Sequence, residues 1–519
     1  MSALAEPIWG SDDLTKSNIR LTDTESRSRS IRENCKSILK KLKYFYVETT
    51  VEPCLFVYML CIALSTLAVQ NMHLEKACRV NFKFGDDICD RIRDRNTTGL
   101  EDELNKIESL VAKVTAWKFP LQTGIPAVMV LFVGAWSDKT KKRKICILFP
   151  MVGEIVTNIG LLLATYYFDE LSVSGTVLIE ALPPALTGSY IIVFMGMYSF
   201  MADRTSVENR TFRLGIVTIF VNLGTPLGTA LSGIVLRAIG YYGIFTLVLC
   251  LHIISFLYGI LKLEDSVCEE DNDTCGSSDG SMNRLVEKIK EVLGLVINTV
   301  AVVFKKRDGR GRTLIILVLA LYLLMVGPLY GDSQVAYLYA IRRFSFDEVE
   351  YSIYGATNSV LGIVGTLFCV SLLSKKLRVE DSAIGGLAGV SRIASCFVIA
   401  FAPNRDWFYS APVFNIFSST GLAAVRSIAT KAVPTKEIAK LSALMGVSEA
   451  LAPSIYSPAS NHIYVKTIDY FPGAFYMFDA VLTGLALVLF LIVYIIMRRR
   501  NIADHENEQV PKSNEVSRF

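Results

Sequence analysis

The sequence predicts an all-α membrane protein: twelve transmembrane helices in two pseudo-symmetric six-helix bundles. Three observations carry that expectation. Of the 519 residues 52% are apolar and 20% are charged, and the apolar ones fall in blocks long enough to cross a hydrocarbon core about 30 Å thick. Basic residues gather in short loops between alternate blocks, which orients those loops toward the cytosol. A polar interval, 263–311, divides the blocks into two equal sets, as in membrane folds made of two repeated halves.

Taken in order, residues 1–48 form a polar tail with Arg27, Arg29, Arg32, Lys36, Lys40, Lys41 and Lys43, expected in the cytosol. The tail holds no short apolar core of the kind a cleavable signal peptide needs. The first bundle, 49–262, has spans expected at 53–72, 119–136, 145–167, 176–202, 211–236 and 241–262. Its first loop, 73–116, is expected outside. Leu100, Leu104, Ile107, Val111 and Val114 recur there at helical spacing, so the loop should fold into a helix feeding the second span. Asn96-Thr97-Thr98 matches the glycan-acceptor pattern. Cys78 and Cys89 lie in the same loop, as a disulfide in an oxidising compartment or as two thiols.

The interval 263–311 contains an apolar stretch, Val292 to Phe304, too short to span. Extended back to Leu285, it places one apolar face against Glu287, Lys288, Lys290 and Glu291, the pattern of an interfacial amphipathic helix. The second bundle, 312–500, has spans expected at 313–337, 351–373, 382–402, 407–431, 438–463 and 471–497. A polar tail, 501–519, follows. Loop charge tests this count. Lys139, Lys141, Lys142, Arg143 and Lys144 lie in one loop assigned to the cytosol, and Lys305, Lys306, Arg307, Arg310 and Arg312 in another. Counting 292–304 as a span would move the basic loops of the second half outside, so both termini are placed in the cytosol.

Composition excludes several classes. The net charge of +4 arises from loop lysines and arginines and marks orientation rather than nucleic-acid binding. The four histidines lack metal-ligand spacing, and neither a nucleotide-binding loop nor a catalytic triad is present. The expected protein is not an enzyme and needs no cofactor other than protons as a coupling ion.

The loop between spans 2 and 3 reads Gly134-Ala135-Trp136-Ser137-Asp138 followed by basic residues. It resembles the signature loop of the major facilitator superfamily. Together with Ala202-Asp203-Arg204 and Arg210-Thr211-Phe212-Arg213, it is similar to the proton-coupled folate transporter group, solute carrier family 46. The resemblance covers the whole membrane domain. It implies that Gly134 permits close helix packing and that Asp138 latches a cytosolic gate with Lys142, Arg204 and Arg213 as charged neighbours. The bland reading of Asp138 is a helix-end carboxylate that only caps a neighbouring helix. Where the folate carrier has an arginine beside the loop aspartate, this chain has Lys142, which keeps the charge but not the planar fork. The carrier's span-10 arginine matches Arg426. Its span-4 aspartate falls on Ser189, its span-5 glutamate on Thr218, and its span-7 histidine on or near Leu329.

An unpaired charge at membrane depth costs at least roughly 2.5–3.5 kcal/mol, so ionisable residues there are functional candidates. Glu449, near the middle of span 11, is a candidate proton carrier or a structural partner for Arg426. Arg426 is a candidate for binding an anion, or it snorkels to the interface. Tyr330, Asp332 and Gln334 lie where Pro328 and Gly331 interrupt span 7, and interrupted helices line cavities. Asp332 there is a second candidate for proton coupling, and Ser189 joins the substrate-binding set by its place in span 4. Arg392 and Asp479, in spans 9 and 12, are expected to form a structural ion pair.

The expected function is secondary active transport of a small organic anion (folate-like, muropeptide-like or another carboxylate) by alternating access, coupled to protons. The alternatives are an uncoupled uniporter and a ligand-binding receptor or adaptor. The location expected by default is the plasma membrane, with an endolysosomal membrane as the rival.

Overall fold

The computed structural model describes residues 51–205, 210–264, 294, 311–333, 335–377, 379–433 and 435–509. The tails 1–48 and 510–519, and the expected amphipathic helix 285–304 apart from Gly294, lie outside the described residues. The ordered elements are helices throughout, and no strand occurs among the described residues.

Span 1, Glu52–Lys76, opens with Pro53 in its first turn, where a missing N–H costs nothing. Inside it the Ser65 and Thr66 hydroxyls donate back to carbonyls of the preceding turn, which satisfies them in an apolar surround. The loop helix Glu101–Phe119 runs into span 2, Ile125–Thr140, through one wide π-type turn at Pro120–Gly124. This is the feeding helix expected from the apolar spacing. Pro120 and Pro126 cannot supply N–H groups to the ladder, and the helix widens where they enter.

Span 3 is Arg143–Tyr166. Span 4, expected to be continuous, breaks into Val173–Thr187 and Ser189–Arg204 around Gly188 at φ 102° and Ser189 at φ 51°. Spans 5 and 6 follow each other as 210–239 and 241–262, turning at Gly240 with φ 65° and ψ −171°, a backbone state open mainly to glycine.

Span 7, Gly311–Gly331, ends at its Pro-Gly break, and the short helix Val335–Phe344 continues from it. Span 8, Glu348–Phe368, starts with a reciprocal cap. The Asp347 carboxylate accepts from the Glu350 backbone N–H, and the Glu350 carboxylate accepts from the Asp347 N–H. Span 9 is Asp381–Ala400. Span 10, also expected unbroken, is Arg405–Phe414 and Thr420–Ala432 joined by turns. Span 11 is Thr435–Thr467, and span 12, Ala474–Gln509, runs past its expected end.

Nine described helices are long and apolar enough to cross a membrane. One of them holds both spans 5 and 6, and spans 10 and 11 fall outside that set because one is broken and the other is rich in polar side chains. Adding these restores twelve crossings. Large apolar side chains such as Leu257, Leu261, Leu367 and Val488 are exposed, as befits faces that meet lipid.

Span 1 packs on spans 5 and 6 in the first half, and spans 7, 9, 11 and 12 pack together in the second. The halves meet along span 5 against span 8, and along the helix Glu101–Phe119 against span 11. At the first of these seams a Cβ on Gly233 would come within 2.0 Å of the Glu348 carbonyl oxygen, so only glycine allows this approach. Polar bonds tie the halves at the end that carries the first loop. Arg237 meets Asp347 at 2.8 Å and Glu348 at 3.2 Å. Arg95 donates to the Tyr337 hydroxyl at 3.0 Å, and the Tyr464 hydroxyl donates to Glu108 at 2.9 Å. The loop itself is tied by a disulfide between Cys78 and Cys89, whose Cα atoms are 5.8 Å apart. We call this end the disulfide-loop face and the opposite end, with residues 138–144, the basic-loop face.

Candidate functional site: a chamber between the two halves

Arg426 is carried on the second helix of span 10, Glu449 in the middle of span 11 and Tyr322 on span 7. The three meet. The Arg426 Nη2 donates to Glu449 Oε2 at 2.8 Å and to the Tyr322 hydroxyl at 2.9 Å, while that hydroxyl donates to the same Oε2 at 2.6 Å. Tyr322 also turns its ring to the guanidinium, 5.8 Å from its centroid. The pair is not sealed: 58% of the Arg426 side chain is exposed. A guanidinium has five N–H donors, and this arrangement uses only one nitrogen, which leaves donors for a further acceptor.

The first half contributes tyrosines to the same space. Tyr190, from span 4, lies within electrostatic reach of Tyr330 of span 7 and of Glu449. Tyr198, one turn pair further along span 4, lies within reach of Arg426. Thr123 of the wide turn before span 2 meets Ser454 of span 11 at 2.7 Å. Polar and aromatic groups of both halves thus gather around the exposed Arg426.

The other expected substrate residues are placed differently. Ser189 is only 3% exposed and sits in the break of span 4. Asp332 does not stand free in the pathway: Arg392 holds it at 2.5 Å. The expected Arg392–Asp479 pair is present at 3.3 Å, but as part of a triad with Asp332. Gln334 and the side chain of Thr218 lie outside the described residues.

At the basic-loop face, the expected gating residues are likewise sorted by the geometry. The Asp138 side chain lies outside the described residues. Among the described residues, a Cβ on Gly134 would meet nothing within 4 Å. Lys142 is exposed at the cap of span 3, with the preceding Lys141 at φ 55°. Arg204 reaches the Glu264 carbonyl at 2.6 Å, and Arg213 pairs with buried Glu52 at 3.4 Å.

Sequence reasoning passed over Arg143. Only 3% exposed, it pairs with Asp203 at 2.9 Å and donates to the Ser137 hydroxyl at 2.9 Å, tying spans 3, 4 and 2. The signal was available, since Asp203 stands in the Ala202-Asp203-Arg204 motif. Within so basic a loop, however, nothing in the sequence separates the arginine that turns inward from lysines that face water. The ion pairs Arg143–Asp203, Arg213–Glu52 and Lys431–Asp381 at this face each stay within one half. At the opposite face, beside pairs internal to each half, Arg237–Asp347, Arg237–Glu348 and Arg342–Glu108 cross between halves. The conformation is therefore closed at the disulfide-loop face.

A separate cavity of about 360 Å³ lies at the disulfide-loop face, lined by Glu75, Arg93, Arg95, Arg237, Tyr241 and Glu348 among others. It belongs to the joined ends of the halves rather than to the chamber around Arg426.

The comparisons with known proteins agree with this geometry. The "Probable peptidoglycan muropeptide transporter SLC46" of Drosophila melanogaster is 24% identical over 88% of this chain and 87% of its own length. A lysosomal proton-coupled steroid conjugate and bile acid symporter of Gallus gallus is 23% identical over 83% of this chain and 90% of its own. The proton-coupled folate transporter of Rattus norvegicus is 24% identical over 69% and 73%. The resemblance to solute carrier family 46 read from the loops is thus borne out along most of the chain. Among solved structures, peptide transporter POT in complex with sulfate shares the fold with a TM-score of 0.55 at 14% identity, over 87% of this chain and 95% of that one. The human organic anion transporter MFSD10 does so with a TM-score of 0.52 at 13% identity, over 85% and 97%. These relatives are transporters, not enzymes. Residues 111–457 match the Major Facilitator Superfamily, and the chain belongs to that family of membrane transporters.

Proposed function

We propose that the protein is a proton-coupled symporter of a small organic anion, working by alternating access between two faces of the membrane. The observation that carries this reading is the Arg426–Tyr322–Glu449 centre. It offers a half-exposed guanidinium in a space shared by both halves, with a carboxylate on the same nitrogen. An arriving substrate carboxylate would compete with Glu449 for Arg426, and a proton on Glu449 would release the arginine to it. Substrate and proton then favour each other's binding, which is the thermodynamic content of symport. The names of the relatives support a proton as the driving ion and bulky organic anions as cargo.

In this reading the basic-loop face and both termini lie in the cytosol, by the excess of lysine and arginine in its short loops. Asp138, with Gly134, Lys142, Arg204 and Arg213 around it, acts as the latch at that face when the carrier turns. Asn96, exposed on the disulfide-loop face, bears the glycan. The tails alone favoured the plasma membrane by default. Relatives with "Lysosomal" in their names support an endolysosomal membrane, and co-localisation of a tagged protein with a lysosomal membrane marker tests it.

Uptake into reconstituted vesicles tests the function. The probes are a radiolabelled muropeptide, a steroid sulfate and folate, each with and without an inward proton gradient. Accumulation that collapses with a proton ionophore is expected for at least one of them. The second reading, facilitative uniport, is favoured by Thr218 standing where the folate carrier has a span-5 carboxylate. Equilibration that ignores the ionophore would select it and overturn symport.

A further inference from the structure

Behind the chamber, inside the second half, three charged side chains meet. Arg392 on span 9 directs one nitrogen, Nη2, at Asp332 Oδ2 (2.5 Å), Asp479 Oδ2 (3.3 Å) and the Pro328 carbonyl oxygen (3.3 Å). An Nη2 carries two hydrogens, so three acceptors compete for two protons. Asp479 is 1% exposed, and its Oδ1 has no hydrogen-bond partner among the described residues; neither does Arg392 Nε. Two carboxylates against one guanidinium leave one negative charge uncompensated. At this depth such a charge costs several kcal/mol.

Among the described residues, the elements packed around the triad bring no second cation. Span 8 presents Tyr351 and Tyr354, span 12 presents Tyr476, and span 9 adds Cys396; all lie within electrostatic reach of Asp332. These are hydroxyls and a thiol, ordinarily uncharged at neutral pH. The smallest species that can neutralise the cluster is a proton.

We propose that Asp332 and Asp479 share one exchangeable proton across Arg392, and that this pair is a second proton site in the second half, beside the one at Glu449. Loading forms one O–H bond on a carboxylate oxygen, with the proton taken from water. Unloading breaks that bond and returns the proton to water, and no other bond changes. Asp332, 14% exposed, is the entry point; Asp479 is the buried partner. The connection to the chamber runs along the break in span 7. Pro328, whose carbonyl faces Arg392, and Asp332 flank Tyr330, which lies within electrostatic reach of Tyr190 of the first half and of Glu449 and Arg426. A change of charge at Asp332 acts on the backbone segment that presents Tyr330 to the other half.

This rests on the symport reading, and a readout that needs no substrate separates the two. The full-length protein is reconstituted in lipid, and infrared difference spectra are recorded as pH is stepped from acid to alkaline. A protonated-carboxyl band that bleaches as pH rises is expected in the wild type. Recorded in a Glu449→Gln background, so that the chamber carboxyl does not contribute, it should be absent in Asp479→Asn and Asp332→Asn and shifted but present in Asp479→Glu. The melting temperature of each variant reports whether it folds, and Asp479→Glu keeps the test decisive where an asparagine variant does not. A band that survives in both asparagine variants overturns the proposal, as does one that answers to sodium instead of pH. So does a wild type with no titrating carboxyl. Failure of vesicles to accumulate any probe against the ionophore control would strike the symport reading while leaving this result to stand or fall on its own.

Discussion

Arg237, at the end of span 5, and Asp347, at the head of span 8, meet at 2.8 Å across the seam between the two halves, and Glu348 takes the same guanidinium at 3.2 Å. Asp347 is at once the N-cap of span 8 and the partner of the opposite half. Its charge therefore fixes a helix end and closes the protein at one face.

The pH behaviour of this contact has a definite sign. Partial burial works to raise the Asp347 carboxyl, but the Glu350 backbone N–H and the Arg237 guanidinium outweigh it and hold the group below its ordinary value. A carboxylate depressed on folding contributes stability above its unfolded value and loses it only as pH falls through the folded one. The contact should then persist in a moderately acidic compartment, where the coupling proton is loaded. Asp347→Asn removes the charge and should weaken closure by roughly 0.5–1 kcal/mol, since the pair is partly exposed. Measured by thiol labelling of a cysteine at Ser454, access from the disulfide-loop face should be unchanged between neutral and mildly acid pH in the wild type. It should rise in Asp347→Asn. Labelling of the wild type that rises steeply in mild acid would contradict the assignment.

Gly233 offers a test of closure that does not depend on charge. A side chain there would run into the Glu348 backbone, 2.0 Å from the built Cβ, and backbone does not yield as a side-chain tip does. Gly233→Val should penalise the closed conformation by about 1–3 kcal/mol, a shift of roughly 5–150-fold toward the conformation open at the disulfide-loop face. The same cysteine-labelling assay at Ser454 reads it. Unchanged labelling with full transport would show that span 5 and span 8 do not need to approach this closely.

For the chamber, the informative change at Arg426 is the conservative one. Arg426→Lys keeps the charge but loses the fork that serves Tyr322 and Glu449 while leaving donors for substrate. We expect KM for an anionic probe to rise about tenfold, about 1.4 kcal/mol of binding, with a smaller change in maximal rate. Glu449→Gln should act in the opposite direction: it frees Arg426 permanently, so affinity is kept and the dependence of uptake on the proton gradient falls. If both variants show wild-type KM and gradient dependence, the Arg426–Glu449 centre does not handle substrate or proton.

The architecture was legible because membrane spans announce themselves by length and apolarity, and their orientation by loop charge. Even the helix feeding span 2 could be read from Leu100, Leu104, Ile107, Val111 and Val114, of which Leu104, Ile107, Val111 and Val114 are buried in it. The breaks of spans 4 and 10 were not. Continuous hydropathy hides a hinge such as Gly188–Ser189, because a local change of φ leaves the apolar count untouched. The site was half legible. Arg426 and Glu449 were singled out as charges at depth, and they turned out to pair with each other. Asp332, also singled out, turned away to Arg392, because which of several intramembrane charges pair is decided by helix rotation. Single-sequence periodicity leaves that rotation undetermined in spans that are apolar on every side.

The first loop yields a final prediction about stability. Cys78 ends up in the wide turn after span 1 and Cys89 in the helix Asp86–Arg93, separated by 11 positions and both buried. Closing a loop of this size removes unfolded-state freedom worth about 3 kcal/mol. The disulfide also holds Arg79 beside Glu75, Asp86 and Asp90, and it anchors the segment from which Arg95 reaches Tyr337 of the second half. Cys78→Ser with Cys89→Ser should therefore lower the melting temperature by several degrees and also loosen the closed face. Arg95→Ala, which leaves the disulfide intact, should loosen the closed face alone. Mild reductant applied from the disulfide-loop face should reproduce the double serine variant in the wild type and do nothing to that variant. A double serine variant that melts with the wild type would mean that packing of the loop on Leu104 and Ile107, not the disulfide, holds the cap in place.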